Sequence, residues 1–429
     1  MKVIFYPSES EWPALQERPE IDVTTLYAAV QPVLDKVRRE GDAAVRYYGS
    51  LYDKVDIVNF AVNRDEIQDA ETALTDELKD AIRVAQSNIE RFHAAQVFQE
   101  LKVETMPGVT CLQKAVPIEK VGLYIPGGTA PLFSTVLMLA VPARIAGCRE
   151  IILCTPPNRE GKIHPAILYA AHVAGVSKIF KVGGIQAIAA MTYGTESIPK
   201  VYKIFGPGNQ YVTAAKQLVG LKDVAIDMPA GPSEVEIIAD ETADPVFIAS
   251  DFLSQAEHGA DSQSILLTMS EMLAEAVVPE IERQLSRLSR KDMACKSLEN
   301  SRIIILNHED EIVRFTNMYA PEHLIIQMAD YHTIKDKIQN AGSVFLGAYT
   351  PESAGDYASG TNHTLPTKGY AKMYSGVNID SFVKKITYQE ITRDGLRALG
   401  PAIEIMAENE QLDAHKNAVT VRLKSIANN

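Results

Sequence analysis

The sequence is poor in cysteine and in positive charge, and it has no long apolar run. Its four cysteines, Cys111, Cys148, Cys154 and Cys295, show no CxxC spacing, which favours a reducing compartment over a disulfide framework. A net charge of −13 argues against nucleic acid or an anionic membrane as a partner, because both require a basic face. No apolar stretch could span a bilayer, and the residues before Pro7 lack the apolar region of a signal peptide. Small-molecule chemistry in the cytoplasm is the expected setting.

Three familiar motifs are also missing. No G-x-G-x-x-G occurs, so the usual dinucleotide fingerprint cannot support cofactor binding. No G-x-S-x-G elbow and no cysteine–histidine pairing supports covalent catalysis. A nucleotide site must therefore be argued from the arrangement of the strands.

The centre of the chain repeats one pattern, an apolar segment followed by a glycine or proline turn and a helical run. The segments are Val121–Ile125, Glu150–Cys154, Lys178–Val182 and Val201–Phe205, and the turns are Pro126-Gly-Gly128, Pro156-Pro157, Gly183-Gly184 and Gly206-Pro-Gly-Asn209. This alternation predicts parallel βαβ units, whose ligands bind outside the carboxyl ends of the strands. Any single glycine turn can equally serve structure alone, but four in one sheet favour a ligand site.

The alternation resumes from Glu234 in a second group of strands. These are Val235–Ala239, Ser264–Thr268, Arg302–Leu306, Leu324–Gln327 and Ser343–Leu346. Helical segments from about residue 24 to 99, and short strands ending near Pro117, are expected to join this second sheet. The central unit is then an insertion.

The predicted fold is α/β, with two Rossmann-like doubly wound sheet domains, one inserted in the other, a small N-terminal arm and a C-terminal helical tail. The predicted boundaries are 1–23 for the arm, 24–120 and 234–378 for the first α/β domain, 121–233 for the inserted domain and 379–429 for the tail. The tail is too short to bury its own core, so we expect it to pack on a partner subunit.

Four segments place a histidine beside a carboxylate or an amide at the boundary of a predicted element. They are residues 254–259, 320–324, 351–367 and 412–417, and the third reads as a loop rich in polar groups. If residues 251–257 end a helix, Gln255 and His258 share one face of it. With Asp356 and His415 they offer imidazole, carboxylate and amide ligands that suit Zn²⁺, Mn²⁺ or Co²⁺. Capping or loop hydrogen bonding remains the alternative for these residues.

Glu322 and His323 are adjacent at the junction of a loop and a strand, where both side chains can reach one cavity. A carboxylate and an imidazole in one cavity are candidates for general base and acid. An exposed glutamate and a histidine that caps the strand are the alternative. His363, in the long polar segment, is a further candidate for substrate contact.

Seven motifs, in this order along nearly the whole chain, resemble those of the histidinol dehydrogenase family. They are Gly122-Leu-Tyr-Ile-Pro-Gly-Gly128, Phe205-Gly-Pro-Gly-Asn209, Asp227-Met-Pro-Ala-Gly-Pro-Ser-Glu234, Ser254-Gln-Ala-Glu-His-Gly259, Ala320-Pro-Glu-His-Leu324, Ser353-Ala-Gly-Asp-Tyr-Ala-Ser-Gly-Thr-Asn-His363 and Ala414-His-Lys-Asn-Ala418. The resemblance implies oxidation of L-histidinol to L-histidine through L-histidinaldehyde, the last step of histidine biosynthesis. It also implies two NAD⁺ per turnover and one Zn²⁺ per subunit that positions the substrate.

The same resemblance implies roles for individual residues. Glu322 and His323 would be the acid–base pair, and the metal and substrate loops would lie in the first α/β domain. The implied zinc ligands are Gln255, His258, Asp356 and His415; the implied substrate contacts are these four with Ser233, His323, His363 and Glu410; the implied NAD contacts in the inserted domain are Tyr124, Gln186 and Asn209. The family is homodimeric with shared active sites, so Glu410 and His415 would come from the other subunit.

Two readings from other classes compete with this one. A zinc-dependent hydrolase could use Glu322 as the base on a metal-bound water and would need no nucleotide. A two-lobed α/β binding protein has a suitable architecture but gives no reason for the clustered histidine and carboxylate segments. Dependence on NAD separates the first alternative from a dehydrogenase.

Overall fold

The structure is a computed structural model that describes residues 1–19, 22–127, 130–228 and 231–428. Parts of two predicted motifs, residue 128 and residues 229–230, therefore lie outside the described residues. The chain divides into two compact units, the first with Met1–Gln96 and Ile118–Phe382, the second with Val97–Pro117 and the residues from Val383 onward. Within the ranges given, no helix is both long and apolar enough to cross a membrane.

The elements are named here in chain order. The strands are β1 (Lys2–Phe5), β2 (Leu101–Met106), β3 (Val109–Pro117), β4 (Lys120–Tyr124), β5 (Glu150–Thr155), β6 (Lys178–Lys181), β7 (Lys203–Phe205), β8 (Ala225–Ile226), β9 (Glu234–Ala239), β10 (Gln263–Thr268), β11 (Arg302–Ile305), β12 (His323–Gln327), β13 (Ser343–Leu346) and β14 (Val383–Ile391). The α-helices are α1 (Trp12–Leu15), α2 (Tyr27–Glu40), α3 (Asp42–Tyr48), α4 (Arg64–Ala73), α5 (Asp76–Ala94), α6 (Phe133–Ala146), α7 (Pro165–Ala174), α8 (Gly184–Tyr193), α9 (Gln210–Gly220), α10 (Pro245–Ala256), α11 (Glu271–Leu285), α12 (Lys291–Asn300), α13 (Glu309–Tyr319), α14 (Tyr331–Lys335), α15 (Glu352–Tyr357), α16 (Arg393–Asn409) and α17 (Asp413–Ala427). Single turns of other helix types span Glu9–Glu11, Val23–Leu26, Gly49–Asp53, Tyr370–Lys372 and Ile379–Phe382.

The first unit contains a parallel five-stranded sheet in the order β6-β5-β4-β7-β8. The chain runs outward from β4 to β6 on one side and then crosses to β7 on the other, so the strand order switches between β4 and β7. In an open parallel sheet the crevice outside the carboxyl ends at such a switch is where ligands bind. The four central strands predicted from the sequence are thereby confirmed.

The same unit contains a parallel six-stranded sheet in the order β1-β11-β10-β9-β12-β13. Every residue of β9 and β10 is buried, as expected for strands covered on both faces. Alternate side chains enter two cores: Val235 and Ile237 pack with α10 and α11, while Ile238 packs with α13 and Trp12 of α1. The five-stranded sheet falls between β1 and β9 in the chain, so one sheet domain is inserted in the other, as predicted.

The N-terminal helices differ from the expected arrangement. The sequence assigned residues 24–120 to the domain of residues 234–378, but α2 to α5 pack on helices α6 to α9, which flank the five-stranded sheet. Val30 and Val33 of α2 share a core with α8, and Ile82 and Ile89 of α5 share one with α6. The helices α2 to α5 therefore form an outer layer of the domain that contains the five-stranded sheet. The expected arm is also not purely irregular, because β1 forms an edge strand of the six-stranded sheet.

The second unit is built on an antiparallel sheet in the order β14-β3-β2. The strands expected before Pro117 are present as β2 and β3, but they pair with each other and with β14 and do not join the six-stranded sheet as expected. The predicted helical tail contains α16 and α17, which pack against each other, and the additional strand β14. The tail therefore finds a partner within its own chain through the pairing of β14 with β3.

Candidate active site

Glu322 and His323 stand at the start of β12, and both line a cavity of about 540 Å³. Glu322 is the residue before the strand and His323 is its first residue, so the two side chains need not obey strict strand alternation. Both are almost fully buried, at 6% and 4% exposure. The expectation that the pair reaches one cavity is confirmed. The pair lies at the amino end of the six-stranded sheet rather than at its carboxyl end.

The main chain of Glu234, at the start of the neighbouring strand β9, holds both side chains. Its N–H donates to Glu322 Oε2 at 2.9 Å, and its carbonyl oxygen lies 3.2 Å from His323 Nδ1. A carbonyl can only accept, so Nδ1 carries the proton of this contact. His323 Nε2 is buried and has no hydrogen-bond partner among the described residues.

The short helix α15 contributes two carboxylates four residues apart, Glu352 and Asp356, which share one face. The sequence predicted an irregular loop here, but Pro351 at the N-cap and the acidic Glu352 in the first turn start a helix. Asp356 Oδ1 lies 3.5 Å from His323 Nε2, and Glu352 Oε1 lies 3.6 Å from His323 Nδ1. Asp356 was predicted for this site, whereas Glu352 was not.

One ligand atom each of His258, Glu352 and Asp356 lies within 4.8 Å of the other two, close enough to bind one metal ion. His258 is exposed and lines the cavity, and it follows the end of α10 by two residues. One turn earlier, Gln255 is fully buried, and its amide nitrogen and oxygen have no hydrogen-bond partner in the part of the chain described. Orphaned polar atoms of this kind are rare without a ligand. The imidazole, carboxylate and amide donors, with no thiolate, fit zinc.

The burial of the carboxyl groups sets their proton affinity. Burial raises the pKa of Glu322 to about 8, and it raises the pKa of Glu352 to about 8 as well. Burial alone would lower the pKa of His323, but the negative charges of Glu352, Glu322 and Asp356 hold it well above its usual range. Although His258 is exposed, the protein atoms around the cavity remove part of the water from its ring and lower its pKa, so the ring favours the neutral form that binds metals.

The remaining predicted substrate contacts of the first unit lie on the same cavity. Ser233 and His363 both line it. His363 Nδ1 lies 2.8 Å from the carbonyl oxygen of Asp356, and its Nε2 lies 3.0 Å from Thr135 Oγ1. His363 therefore ties the end of α15 to helix α6. The other two predicted contacts, Glu410 and His415, belong to the second unit, where both side chains are exposed.

A second cavity of about 1290 Å³ opens at the carboxyl ends of β4, β5 and β6. Tyr124, Gln186 and Asn209, the predicted nucleotide contacts, all line it. Asn209 caps α9, because its side-chain oxygen accepts from the N–H groups of Tyr211 and Val212. The N–H groups of its side-chain amide take no part in this cap. Asn209 also lines the first cavity.

Asp53 also lines this second cavity, although the sequence did not predict it as a site residue. Its Oδ2 accepts from Gln186 Nε2 at 3.2 Å, and Gln186 Oε1 is buried without a hydrogen-bond partner among the described residues. The amide is thus oriented with its oxygen ready to accept. No local signal marks Asp53, because it ends a helical turn more than 130 residues before Gln186.

Known proteins resemble the chain over almost its whole length. The family model described as histidinol dehydrogenase matches residues 16–423. The histidinol dehydrogenase of Bacteroides thetaiotaomicron is 65% identical over 99% of this chain and 100% of its own length. The chloroplastic histidinol dehydrogenase of Arabidopsis thaliana is 52% identical over 98% of this chain and 90% of its own.

A crystal structure gives the same result for the fold. Histidinol dehydrogenase from Elizabethkingia anophelis is 54% identical, covers 100% of this chain and 99% of its own, and superposes with a TM-score of 0.98. Family model, relatives and fold agree with the predicted resemblance, and the chain belongs to the histidinol dehydrogenase family, the oxidoreductases of a step in histidine biosynthesis.

Proposed function

We propose that the protein oxidises L-histidinol to L-histidine through L-histidinaldehyde in two NAD⁺-dependent steps, the last reaction of histidine biosynthesis. The observation that carries this proposal is the convergence of two groups of residues on one cavity. One group, His258 and Asp356 with the neighbouring buried Glu352, has the donors for a metal ion, and the other, Glu322 and His323, has the groups for proton transfer. Asn209 connects this cavity with the larger one.

Gln255, His258 and Asp356 would hold one zinc ion per subunit, with His415 contributed by a second copy of this chain. The orphaned amide of Gln255 supports its place in this set. Zinc, when bound, supplies a fixed charge that positions the imidazole and amine of the substrate. Positioning of this kind can lower a reaction barrier by several kcal/mol. Ser233, His363 and Glu410 would contact the remainder of the substrate.

His323 is the base of the first oxidation. Its Nδ1–H is fixed on the Glu234 carbonyl, and its Nε2 makes no hydrogen bond with the described residues. The negative charges that raise the pKa of His323 would be offset by a zinc ion bound at the neighbouring carboxylates, so Nε2 would take the proton of the substrate hydroxyl as the hydride leaves. NAD⁺, when bound, supplies the hydride acceptor. Tyr124, Gln186 and Asn209 would contact the nucleotide, and Asp53 would keep the Gln186 oxygen free for it.

Glu322 serves the second oxidation. It takes a proton from the water that adds to the aldehyde, and the resulting gem-diolate loses the second hydride to a second NAD⁺ to give the carboxylic acid. The Glu234 N–H donates to Glu322 Oε2 and fixes that oxygen, so Oε1 is the oxygen that would accept the proton in the cavity. The proposed chemistry needs no cysteine nucleophile, and burial raises the pKa of the Cys154 thiol far above neutrality.

The proposed assembly is a homodimer with shared active sites, in which Glu410 and His415 complete the cavity of the other subunit. Their exposure in the second unit leaves both side chains free for such a contact. We propose the cytoplasm as the location, on the acidic composition and the free cysteines.

The test of the proposed function is NADH formation from L-histidinol with excess NAD⁺, before and after a chelator removes metal and zinc restores it. Two NADH per histidinol, lost with the metal and recovered with zinc, is the expected result. Formation of no NADH by the zinc-loaded dimer would contradict the proposal and favour hydrolytic chemistry.

A further inference from the structure

Arg18, on the N-terminal arm, makes a buried two-point contact with Glu234. Its Nε and one terminal nitrogen each lie 2.8 Å from a different carboxylate oxygen of Glu234, and the two side chains are only 15% and 3% exposed. The same guanidinium donates to the Tyr319 carbonyl at 2.7 Å and lies 3.8 Å from the centre of the Tyr319 ring. The planar guanidinium of Arg18 is therefore held by the Glu234 carboxylate, the Tyr319 carbonyl and the Tyr319 ring, which leaves it little freedom to move.

Glu234 is the residue whose peptide groups hold the two proposed proton-transfer side chains. Its N–H binds Glu322 and its carbonyl binds His323, as described above. Its side chain also accepts from the N–H of Lys368 at 2.5 Å, next to Thr367, which lines the cavity. Glu234 therefore connects the arm, two adjacent strands and the segment after His363.

The position of Glu234 depends on its side chain because the strand has only just begun. Glu234 is the first residue of β9, so it has no strand residue before it to help fix its backbone. A buried carboxylate without a cationic partner is destabilised and moves toward any available donor or water. Such a movement would carry the peptide groups that aim Glu322 Oε2 and His323 Nδ1.

We infer that Arg18 is a positioning residue for the oxidation: through Glu234 it fixes the orientation of Glu322 and His323. The inference rests on the function proposed above. The competing interpretation is that Arg18 only fastens the arm to the six-stranded sheet, which would affect stability but not turnover of the folded enzyme.

Arg302 provides a matched control for the arm. It donates to the Glu17 carbonyl at 3.2 Å, so it holds the residue next to Arg18, and among the described residues it makes no hydrogen bond or ion pair with Glu234. Arg302→Gln therefore loosens the same arm and leaves the Arg18–Glu234 pair in place. Both variants are to be studied as zinc-loaded dimers, well below the unfolding temperature of each.

The expected result is a kcat for histidinol oxidation that falls about 10- to 100-fold in Arg18→Gln, the usual range for loss of a group that orients a functional side chain. The KM for histidinol should change much less, because the proposed zinc ligands and substrate contacts keep their places. Zinc content should match that of the wild type. Arg302→Gln should retain kcat within about twofold, as is usual for changes away from such features.

Two further measurements keep the inference testable if Arg18→Gln folds poorly. Millimolar methylguanidinium should raise the kcat of Arg18→Ala, because it can refill the space over Tyr319, and should not affect Arg302→Gln. Adding Glu234→Gln to Arg18→Gln should lower kcat little further, because both changes remove one interaction.

A folded Arg18→Gln enzyme with wild-type kcat would overturn the inference, and so would equal losses in Arg18→Gln and Arg302→Gln. Absence of NADH formation by the wild type would instead contradict the proposed function, so the two failures are distinguishable.

Discussion

His323 Nδ1 lies 3.6 Å from Glu352 Oε1, yet the hydrogen bond of that nitrogen goes to the Glu234 carbonyl. Both oxygens of Glu352 are buried and have no hydrogen-bond partner among the described residues. Glu352 is also within reach of the atoms of His258 and Asp356 that could bind a metal. A buried carboxylate in this setting is stabilised by a nearby cation, so Glu352 belongs to the electrostatics of the proposed zinc site.

Glu352→Gln should weaken zinc binding by about 10- to 100-fold, the range found for groups that support metal ligands. The measurement is competition for zinc against a chromophoric chelator. Asp251→Asn is the matched control, because Asp251 is another buried carboxylate nearby but donates no ligand atom to the cluster and is bound by Gln327 at 2.6 Å. Equal zinc affinity in Glu352→Gln and the wild type would show that Glu352 does not contribute to zinc binding.

Glu322→Gln should separate the two oxidations. The glutamine keeps the shape and can still accept from the Glu234 N–H, but it cannot take a proton from water. Oxidation of supplied L-histidinaldehyde should fall by about 10²- to 10⁴-fold, as for loss of a general base, and oxidation of L-histidinol to the aldehyde should fall far less. Equal loss of both half-reactions, measured in single turnover, would contradict the role given to Glu322.

Mixing two variants that are each deficient in the complete oxidation to L-histidine tests the shared site, with L-histidine formation as the activity measured. In a mixed dimer of Glu322→Gln and His415→Asn subunits, one of the two sites would combine the intact His415 of one chain with the intact Glu322 of the other. Random mixing should therefore restore about a quarter of wild-type activity if sites are shared across a two-fold interface. The unmixed variants, carried through the same exchange, are the controls. No recovery in dimers proven to be mixed would mean that each chain builds its own site.

The parts of this structure that the sequence predicted are those with a local signal. Strands such as β5 and β10 are covered on both faces, so they appear as short apolar runs. Glu322 and His323 were found because they are adjacent, and Gln255 and His258 because they are three residues apart at a helix end. By contrast, β14 is mostly exposed and mixes charged with apolar residues, and β8 has only two residues. The strand β1 is apolar in sequence but is a short, mostly exposed edge strand, so its sequence gives no sign that it pairs with β11, 297 positions or more away in the chain.

What the sequence did not reveal depends on contacts between distant residues. Arg18 meets Glu234 across 216 residues, and Asp53 meets Gln186 across 133. The sequence also assigned α2 to α5 to the wrong sheet domain for a similar reason. An apolar helix face does not specify which domain it will pack against. Glu352 lies four residues before Asp356, and residues with this spacing share one face only if the segment is helical. The sequence predicted a loop here, so the spacing was not recognised.

Gly206→Ala should weaken the binding of NAD⁺ in the second cavity. Gly206 has a φ of 120°, and a Cβ there would overlap the carbonyl oxygen of Tyr124. The turn would have to move away from β4 and take Asn209 with it, so we expect a weaker affinity for NAD⁺ and a lower unfolding temperature. Gly220→Ala, in helix α9, is the control, because its Cβ would meet only the end of the Ile226 side chain at 3.3 Å. Calorimetric titration of NAD⁺ should show little change in the control, and a normal affinity in Gly206→Ala would contradict the expectation.

Glu236, in the middle of the six-stranded sheet, should make stability depend on pH. Burial raises its pKa from 4.5 to about 8, and one of its oxygens has no hydrogen-bond partner among the described residues. Between these two values the unfolded chain releases the proton of Glu236 while the folded chain keeps it, so the free energy of unfolding falls as pH rises. The contribution is complete below pH 4.5 and lost as pH rises through about 8.

Glu236→Gln removes this titration and keeps a side chain of nearly the same shape, although Thr316 must then donate to an amide oxygen. The variant should therefore gain stability relative to the wild type as pH rises from about 5 to 8, by an amount of the order of a few kcal/mol, since each unit of pKa shift corresponds to about 1.4 kcal/mol. Urea unfolding at several pH values measures the difference, and Glu280→Gln, at an exposed ion pair with Arg283, controls for the general effect of removing a carboxylate. A stability difference between Glu236→Gln and the wild type that stays constant across this range would show that Glu236 ionises normally in the folded protein.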